Sequence, residues 1–214
     1  MTEPDSALKA RLAALTDGIF AVTMTLLVLD LRVPDGDAGS WVADLLQVAD
    51  RVDNYAISFV VLSLFWLGHV RMLGRMRGAD GAFAFGNLAF LLLTTLVPTL
   101  TSQLGEHPAL PRPAVLYGAN LLSILVCELA LWHRVCHRLG NDALADAQAA
   151  WHVVRRRYAL SIAVVVAGIA TALVEIALAA SQGLAPWLYL LLIGMGLVRP
   201  PLPGGGEKPL AAPR

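Results

Sequence analysis

The stretch Leu12–Leu31, LAALTDGIFAVTMTLLVLDL, has the length and apolar character of a helix that crosses a lipid bilayer. A bilayer core of about 30 Å needs roughly 20 helical residues. The stretch supplies them, with acids only at Asp17 and Asp30. It is too long for the apolar part of a signal peptide and carries an acid in its middle, so we interpret it as a helix of the mature protein.

The whole chain has the composition of a membrane protein. Of its 214 residues, 57% are hydrophobic and 15% are charged, against about 45–50% and about 25% in soluble domains. We predict an all-α, polytopic membrane protein with six transmembrane helices in one domain, residues 1–199. The predicted helices are residues 12–31, 53–70, 82–104, 114–135, 158–180 and 184–198. The Pro- and Gly-rich residues 200–214 are predicted to be a disordered cytoplasmic tail.

The connection between the first two predicted spans carries a further helix signal. Ser40 can cap a short helix that continues to Asp50 and carries apolar residues on one side. We predict that this short helix is separate from the second span and lies along the outer membrane surface.

Basic residues indicate the orientation of the chain, since cytoplasmic loops retain Lys and Arg. With both termini in the cytoplasm, thirteen of the sixteen basic residues lie inside and three, Arg32, Arg51 and Arg112, lie outside. The thirteen are Lys9, Arg11, Arg71, Arg75, Arg77, Arg134, Arg138, Arg155, Arg156, Arg157, Arg199, Lys208 and Arg214. The formal net charge of zero argues against a globally basic nucleic-acid binder. The two cysteines form no CxxC or Cys/His cluster that would indicate a zinc site.

The first predicted helix has two contrasting sides. At about 100° per residue, one line along it is formed by Arg11, Leu15, Gly18, Val22, Thr25 and Leu29. Asp17 lies about 140° from Val22, on roughly the opposite side. From periodicity alone, such a line is more typical of a helix-packing seam than of a pore, and both interpretations stay open.

An acid inside a membrane span is costly and needs a partner from another helix. Candidate partners at similar depth are Trp66 and His69 in the second span and Asn87 in the third. We predict a buried Asp17–His69–Asn87 hydrogen-bond network, whose role is either a structural staple or part of conduction. Glu128 and Glu175 are single acids in the fourth and fifth spans, with either a structural role or a role in ion binding.

The run Arg11–Leu31 resembles the first-helix signature of the bacterial relatives of transmembrane protein 175, the lysosomal potassium channel. That signature is an arginine, three variable residues, Phe-Ser-Asp, then Gly-Val-Phe-Ala-Ile and a threonine-and-leucine run that ends in an acid. The similarity continues in Phe65-Trp66-Leu67-Gly68-His69, Asn87-Leu88-Ala89-Phe90-Leu91-Leu92 and Leu96-Val97-Pro98. It covers about residues 9–108, and the rest of the chain matches only in hydropathy.

The resemblance implies six helices per subunit, a homotetramer, and a central pore lined by the first helix rather than by a carbonyl filter. Its pore positions correspond here to Val22, Thr25 and Leu29, with the two apolar residues forming narrow rings around a threonine ring. The implied structural polar network is Arg11, Thr16, Asp17, Trp66, His69 and Asn87. Two departures are Leu15-Thr16 in place of Phe-Ser and Val22 in place of isoleucine. The smaller Val22 leaves a wider ring, so we expect weak selectivity for potassium over sodium.

We therefore predict a potassium-preferring, weakly selective cation channel of the bacterial inner membrane. Its expected partners are three other copies of itself, the lipid bilayer and monovalent cations, with no nucleic acid, no cofactor and no bound metal. The alternative is a proton- or cation-coupled secondary transporter that uses intramembrane acids, although we find no inverted repeats. An enzyme or haem protein ranks last: His69 and His133 are the available haem ligands, and no facing His pair or catalytic group is recognisable in the sequence.

Overall fold

The computed structural model of the chain describes residues 3–30, 41–107, 110–139, 144–178, 184, 188–189 and 191–192. These residues contain helices and no β-strand, which confirms the predicted all-α class for this part of the chain. The α-helices are α1 (Glu3–Leu26), α2 (Trp41–Gly74), α3 (Gly81–Thr95), α4 (Val97–Glu106), α5 (Pro111–Arg134) and α6 (Leu144–Ala177). A 3₁₀ turn, Leu27–Asp30, follows α1, and a π-helical turn, Val135–Leu139, follows α5.

In the described part of the chain, five helical stretches are long and apolar enough to cross a membrane. They are Asp5–Leu29, Asn54–Gly74, Gly81–Glu106, Pro111–Leu139 and Asp146–Ala177. Each overlaps one of the first five predicted spans, so the chain is a multi-pass membrane protein. The sixth predicted span, residues 184–198, lies mostly outside the described residues, as does the whole predicted tail, residues 200–214. A sixth span therefore stays a prediction.

The helix that contains the second span begins well before the predicted start of that span. A single helix of 34 residues, α2, runs without interruption from Trp41 to Gly74. The prediction of a separate helix at Ser40–Asp50 is therefore wrong. The physical reason is that no Gly or Pro occurs between Trp41 and Leu67 to stop the helix. At about 1.5 Å per residue, α2 is roughly 50 Å long and exceeds the bilayer core.

The third span is interrupted where α3 meets α4. Pro98 lies in the first turn of α4 and has no backbone N–H to donate to the carbonyl of Thr94. One turn earlier, the hydroxyl of Thr94 donates to the backbone carbonyl of Phe90 at 2.8 Å. Leu96, between the helices, keeps helical dihedral angles of φ −79° and ψ −18°. The backbone therefore stays helical through Leu96, and α3 and α4 together form one span.

Helix α1 packs against α2 and α3, while α5 and α6 pack along each other. Tyr189, from the sixth predicted span, is buried against this second pair. Its hydroxyl donates to the carbonyl of Ala114 at 2.9 Å. A Cβ on Gly118 of α5 or on Gly168 of α6 would overlap the tyrosine ring. These two glycines therefore form the socket in which Tyr189 lies.

Asp80 joins the ends of two helices. Its carboxylate caps α3 by accepting from the backbone N–H of Phe83 at 2.8 Å. The same carboxylate accepts from Arg134, at the end of α5, with Nε at 3.0 Å and a second bond from Nη2. The donation from Arg134 is the main reason that the pKa of Asp80 lies below its usual value of 3.8.

Candidate pore-lining face

One face of α1 is exposed from Arg11 onward. Leu15 is 43% exposed, Val22 57% and Leu29 60%. Also exposed are Arg11, Gly18 and Thr25. These are the six residues of the line predicted from helical periodicity. With the described part of the chain in place, the line is thus accessible to water, to lipid or to another copy of the protein.

The C-terminal end of this line departs from the predicted geometry. The α-helix ends at Leu26, and Leu29 lies in the following 3₁₀ turn. A 3₁₀ helix has 3.0 residues per turn, against 3.6 in an α-helix. Leu29 is therefore rotated away from the straight line that α-helical spacing predicts, although its side chain stays exposed.

The opposite face of α1 is buried against α2 and α3. The exposed fraction is 6% for Leu12, 1% for Thr16, Phe20 and Thr23, and 0% for Leu27. The spacing of these residues, 4-4-3-4, places them on one side of a helix. The ring of Phe20 lies 5.9 Å from the ring of Phe90 in α3, centroid to centroid. This face holds α1 in place.

Asp17 is tied to α2. Its Oδ1 accepts a hydrogen bond from Nε1 of Trp66 at 2.8 Å, although the aspartate itself is exposed. An indole N–H can only donate, and an ionised carboxylate can only accept. The pair therefore fixes the orientation of both side chains. Of the predicted partners of Asp17, Trp66 is the one that bonds to it.

A second hydrogen bond ties α1 to α3. Nδ2 of Asn87 donates to Oγ1 of Thr16 at 3.3 Å, and both residues are buried. His69 stacks on the ring of Phe90, with centroids 4.8 Å apart and planes 10° apart. Among the described residues, neither ring nitrogen of His69 nor Oδ1 of Asn87 has a hydrogen-bond partner. Two hydrogen-bonded pairs and a stacked histidine thus lie among the predicted residues, and Arg11 lies on the exposed line. A continuous Asp17–His69–Asn87 network stays a prediction.

The hydroxyl of Thr25 has a defined orientation. It donates to the carbonyl of Val22 at 2.8 Å, one turn back along the helix. A hydroxyl has a single hydrogen to donate and two lone pairs to accept with. With its hydrogen committed to the backbone, the exposed Thr25 oxygen presents only acceptor capacity, which suits a cation or a water molecule's hydrogens.

The two other intramembrane acids pack between helices. Glu128 is 1% exposed and lies against Gly68 of α2, where a Cβ would be 2.9 Å from its Oε1. It lines a cavity of about 50 Å³ together with Arg157, Tyr158 and Ser161. Glu175 is 5% exposed, and its Oε1 accepts from the backbone N–H of Leu184 at 3.0 Å. Both acids lie away from the exposed face of α1.

A cluster of hydroxyl groups escaped prediction. Ser58 of α2 shares a hydrogen bond of 3.1 Å with the hydroxyl of Tyr117 in α5. Thr101 of α4 donates to Ser58 at 2.8 Å, and all three residues are buried. A single hydroxyl residue in each of three spans has no spacing pattern to detect. Only the folded chain brings them together.

Comparison with known proteins identifies relatives of the chain. The family model of the endosomal/lysosomal potassium channel TMEM175 matches residues 11–98. A potassium channel of Streptomyces collinus is 34% identical over 158 residues, which cover 70% of this chain and 75% of the relative. A potassium channel of Chryseobacterium sp. is 29% identical over 163 residues, 76% and 82% of the two chains. The human endosomal/lysosomal proton channel TMEM175 is 30% identical over 137 residues, 58% of this chain and 27% of the relative.

A solved structure shares the fold. It is the crystal structure of a homolog of the lysosomal potassium-selective channel TMEM175 from Chamaesiphon minutus, with a TM-score of 0.74. The two chains are 24% identical, and the match covers 91% of this chain and 98% of the other. The family match, residues 11–98, contains the exposed line of α1 and both hydrogen-bonded pairs behind it. The chain therefore belongs to the TMEM175 family, a family of ion channels and not of enzymes.

Proposed function

We propose that the protein is a potassium-preferring, weakly selective cation channel, in which four copies place the exposed face of α1 around a central pore. The observation that carries this proposal is the uncovered line from Leu15 to Leu29 on the first helix of an ion-channel family member. A helix that faces only lipid gains nothing from Gly18 and Thr25 on its exposed side. Both residues suit a surface where helices approach closely or meet water.

Two apolar rings set the width of the proposed pore. Four copies of Val22 and four of Leu29, which are 57% and 60% exposed in one chain, would project toward a common axis. Narrow apolar rings restrict ions by size and by dewetting, without a ring of fixed charge. Because valine is one methylene smaller than isoleucine, the Val22 ring is wide enough that a partly hydrated sodium ion also passes. Selectivity for potassium is then weak.

The Thr25 oxygens supply the attraction for cations between these rings. Each hydroxyl donates its hydrogen to the carbonyl of Val22, so four acceptor oxygens face the axis. Acceptor oxygens replace part of the hydration shell of a cation and offer nothing to an anion. This ring favours cations over anions and leaves the choice between potassium and sodium to the apolar rings.

The pairs behind α1 act as positioning contacts. Asp17 with Trp66 and Thr16 with Asn87 fix the rotation of α1 relative to α2 and α3. Rotation decides which residues face the axis, since neighbouring residues on a helix differ by about 100°. The proposed role of these two pairs is structural. Their loss would change which residues of α1 face the pore and would remove no group that contacts the ion.

The topology of the proposed channel follows from its basic residues. Six spans per subunit with both termini in the cytoplasm place thirteen basic residues inside and three outside, as the positive-inside rule requires. The proposed location is the bacterial inner membrane. Conduction is passive, driven by the ion gradient and the membrane potential.

The intramembrane acids do not favour a carrier mechanism. Asp17 is bonded to Trp66, and Glu175 holds the backbone N–H of Leu184. Glu128 of α5 is buried against Gly68 of α2. A coupled transporter would need one of these acids to load and release an ion along the transport route.

Reversal potentials in potassium and sodium gradients test the proposal with protein reconstituted in liposomes or planar bilayers. Val22→Ala widens the proposed ring, so we expect the potassium-to-sodium permeability ratio to fall toward unity while cation flux persists. Val22→Ile narrows it, and we expect the ratio to rise and the flux to fall. Val166→Ala is the matched control, because Val166 of α6 is 47% exposed and lies on another helix.

Two outcomes would contradict the proposal. One is that variants of Val22 and Leu29 leave the potassium-to-sodium permeability ratio unchanged, which is the result expected only for the control Val166→Ala. The other is that flux saturates at low cation concentration, requires a proton gradient and is abolished by Glu128→Gln with normal assembly. The second outcome would establish a coupled transporter in place of a channel.

A further inference from the structure

Two histidines meet at the end of α5. His133 and His137 are four residues apart, and their ring centroids are 4.5 Å apart with an interplanar angle of 45°. Both residues are exposed. His137 belongs to the π-helical turn Val135–Leu139, and π-helical turns are rare and occur frequently at functional sites. The proposed channel function uses neither histidine.

Trp151 of α6 packs against both histidines. Its indole contacts both imidazoles edge-on, with centroids 5.0 Å from His133 and 5.7 Å from His137. An indole N–H donates hydrogen bonds and does not bind metals. Trp151 therefore restricts the orientation of the two rings without competing for a ligand.

The separation of the rings allows both to ligate one metal ion. A first-row metal lies about 2.0–2.1 Å from an imidazole nitrogen, hence roughly 3.2 Å from the ring centroid. Two rings that share a metal at an angle between 90° and the tetrahedral angle are therefore about 4.5–5.2 Å apart, centroid to centroid. The observed 4.5 Å lies at the short end of this range. Imidazole ligands suit Cu²⁺ and Ni²⁺, and Cu²⁺ binds nitrogen sites most tightly among the first-row divalent ions.

The charges beside the histidines are mostly basic, with one acid among them. The guanidinium of Arg134 is drawn to the carboxylate of Asp80. The charge of Arg138 also acts on Asp80. One carboxylate thus offsets part of the positive charge beside the histidines. No group of three or more His, Cys, Asp or Glu side chains that could hold a metal occurs in the described part of the chain, so a metal ion here would have two ligands from that part.

We propose that His133 and His137 form a two-ligand site for a divalent transition-metal ion, Cu²⁺ or Ni²⁺, at the end of α5. The site is separate from the α1 face and stands even if the pore assignment fails. The sequence predicted no metal site, because two histidines without a further ligand do not form a recognised metal motif.

Copper binding to purified protein in detergent tests the proposal, with any polyhistidine tag removed. Trp151 serves as the reporter, since Cu²⁺ held beside an indole quenches its fluorescence. We expect saturable quenching at one Cu²⁺ per chain. His133→Ala and His137→Ala should each weaken the apparent affinity on the order of tenfold or more, because a lost ligand costs at least as much as a lost outer contact. Zn²⁺ should bind more weakly than Cu²⁺.

His152→Ala is the matched control. His152 is exposed and adjacent to Trp151 in sequence but absent from the ring cluster, so its loss should leave the affinity unchanged. Trp151→Phe should lose most of the quenching and keep one Cu²⁺ per chain in equilibrium dialysis. If His133→Ala fails to elute as folded protein, His133→Gln and His137→Ala give the same comparison. Unchanged affinity in folded variants of both histidines, or an equal loss in His152→Ala, would overturn the proposal.

Discussion

Helices α1 and α6 are both poorly covered by the rest of the chain, but they expose different chemistry. In the most apolar part of the α1 span, Asp5–Leu29, 28% of the residues are buried. In the corresponding part of the α6 span, Asp146–Ala177, 22% of the residues are buried. The exposed residues of α6 beyond Tyr158 are all Ala, Leu, Val and Ile. Helix α1 exposes Asp17, Gly18 and Thr25 among its apolar residues.

This difference shows that exposure by itself does not distinguish a lipid-facing helix from a pore-lining one. An apolar residue that is exposed in a single membrane chain is satisfied by lipid and needs no other partner. A polar residue on such a surface needs water or protein. The exposed polar residues Asp17 and Thr25 of α1 are therefore what distinguishes this helix from α6.

The largest expected effect comes from placing a charge on each helix. Val166→Lys puts an ammonium group into lipid near the middle of its span, at a cost of about 2.5–3.5 kcal/mol in membrane insertion. We expect the yield of folded protein to fall strongly, as measured by size-exclusion chromatography. Val22→Lys faces water in the proposed pore, so the protein should fold, while four ammonium groups stop cation flux by repulsion.

The two lysine variants can also break the comparison. Equal losses of folded protein would mean that Val22 faces lipid as Val166 does. Cation flux at the level of the unmodified protein in a folded Val22→Lys variant would place Val22 outside the pore.

A smaller effect is expected behind α1. Trp66→Phe keeps the apolar ring and removes the N–H that donates to Asp17. Hydrogen bonds to charged groups contribute about 1.5–3 kcal/mol, and the exposure of Asp17 reduces this to about 1 kcal/mol. We expect thermal unfolding in detergent to show this loss.

A double-mutant cycle with Asp17→Asn isolates the pair. The combined variant should lose less stability than the sum of the two single variants, because the same contact is removed in each. Additive losses would show that the Trp66–Asp17 bond does not hold α1 to α2.

The smallest effect concerns Asp80, which lies outside both compared faces. Asp80→Asn keeps a side chain that can cap α3 and removes the ion pair with Arg134. The carboxylate is partly exposed, at 38%, so the expected loss at pH 7 is less than about 1 kcal/mol. Because the pKa of Asp80 is lowered from 3.8 by Arg134, its stabilising contribution is present above that value and disappears as pH falls through the lowered pKa.

Thermal unfolding at two pH values checks this sign. The variant should be less stable than the unmodified protein at pH 7, and the difference should shrink as the pH falls below 3.8 and through the lowered pKa of Asp80. A difference that persists or grows in acid would contradict the assigned ion pair.

Much of the fold follows from patterns along the chain. Long apolar stretches locate five spans that overlap helices of the folded protein. The line of α1 from Arg11 to Leu29 was predictable because side chains on a helix repeat every 3.6 residues. The start of α2 was not, since the charged residues before Asn54 indicated a break where the helix continues.

The partners of polar side chains were harder to predict. Trp66, His69 and Asn87 all stood out as candidates for Asp17, and only Trp66 bonds to it. The choice depends on rotations and shifts between helices of an ångström or less, because hydrogen bonds weaken steeply beyond about 3.5 Å. Spacing along one helix carries no information on such shifts.

The sequence by itself determined that the chain spans a membrane several times. It also determined that the first helix has a largely apolar line on one side and Asp17 on roughly the opposite side. Both are properties of single helices, set by length and by periodicity. Tertiary structure alone decided that Glu128 lies against Gly68, that Tyr189 fills the socket of Gly118 and Gly168, and that His133 and His137 meet beside Trp151. These contacts join residues from different helices, or depend on a local π-helical turn, and so they exist only once the helices have packed.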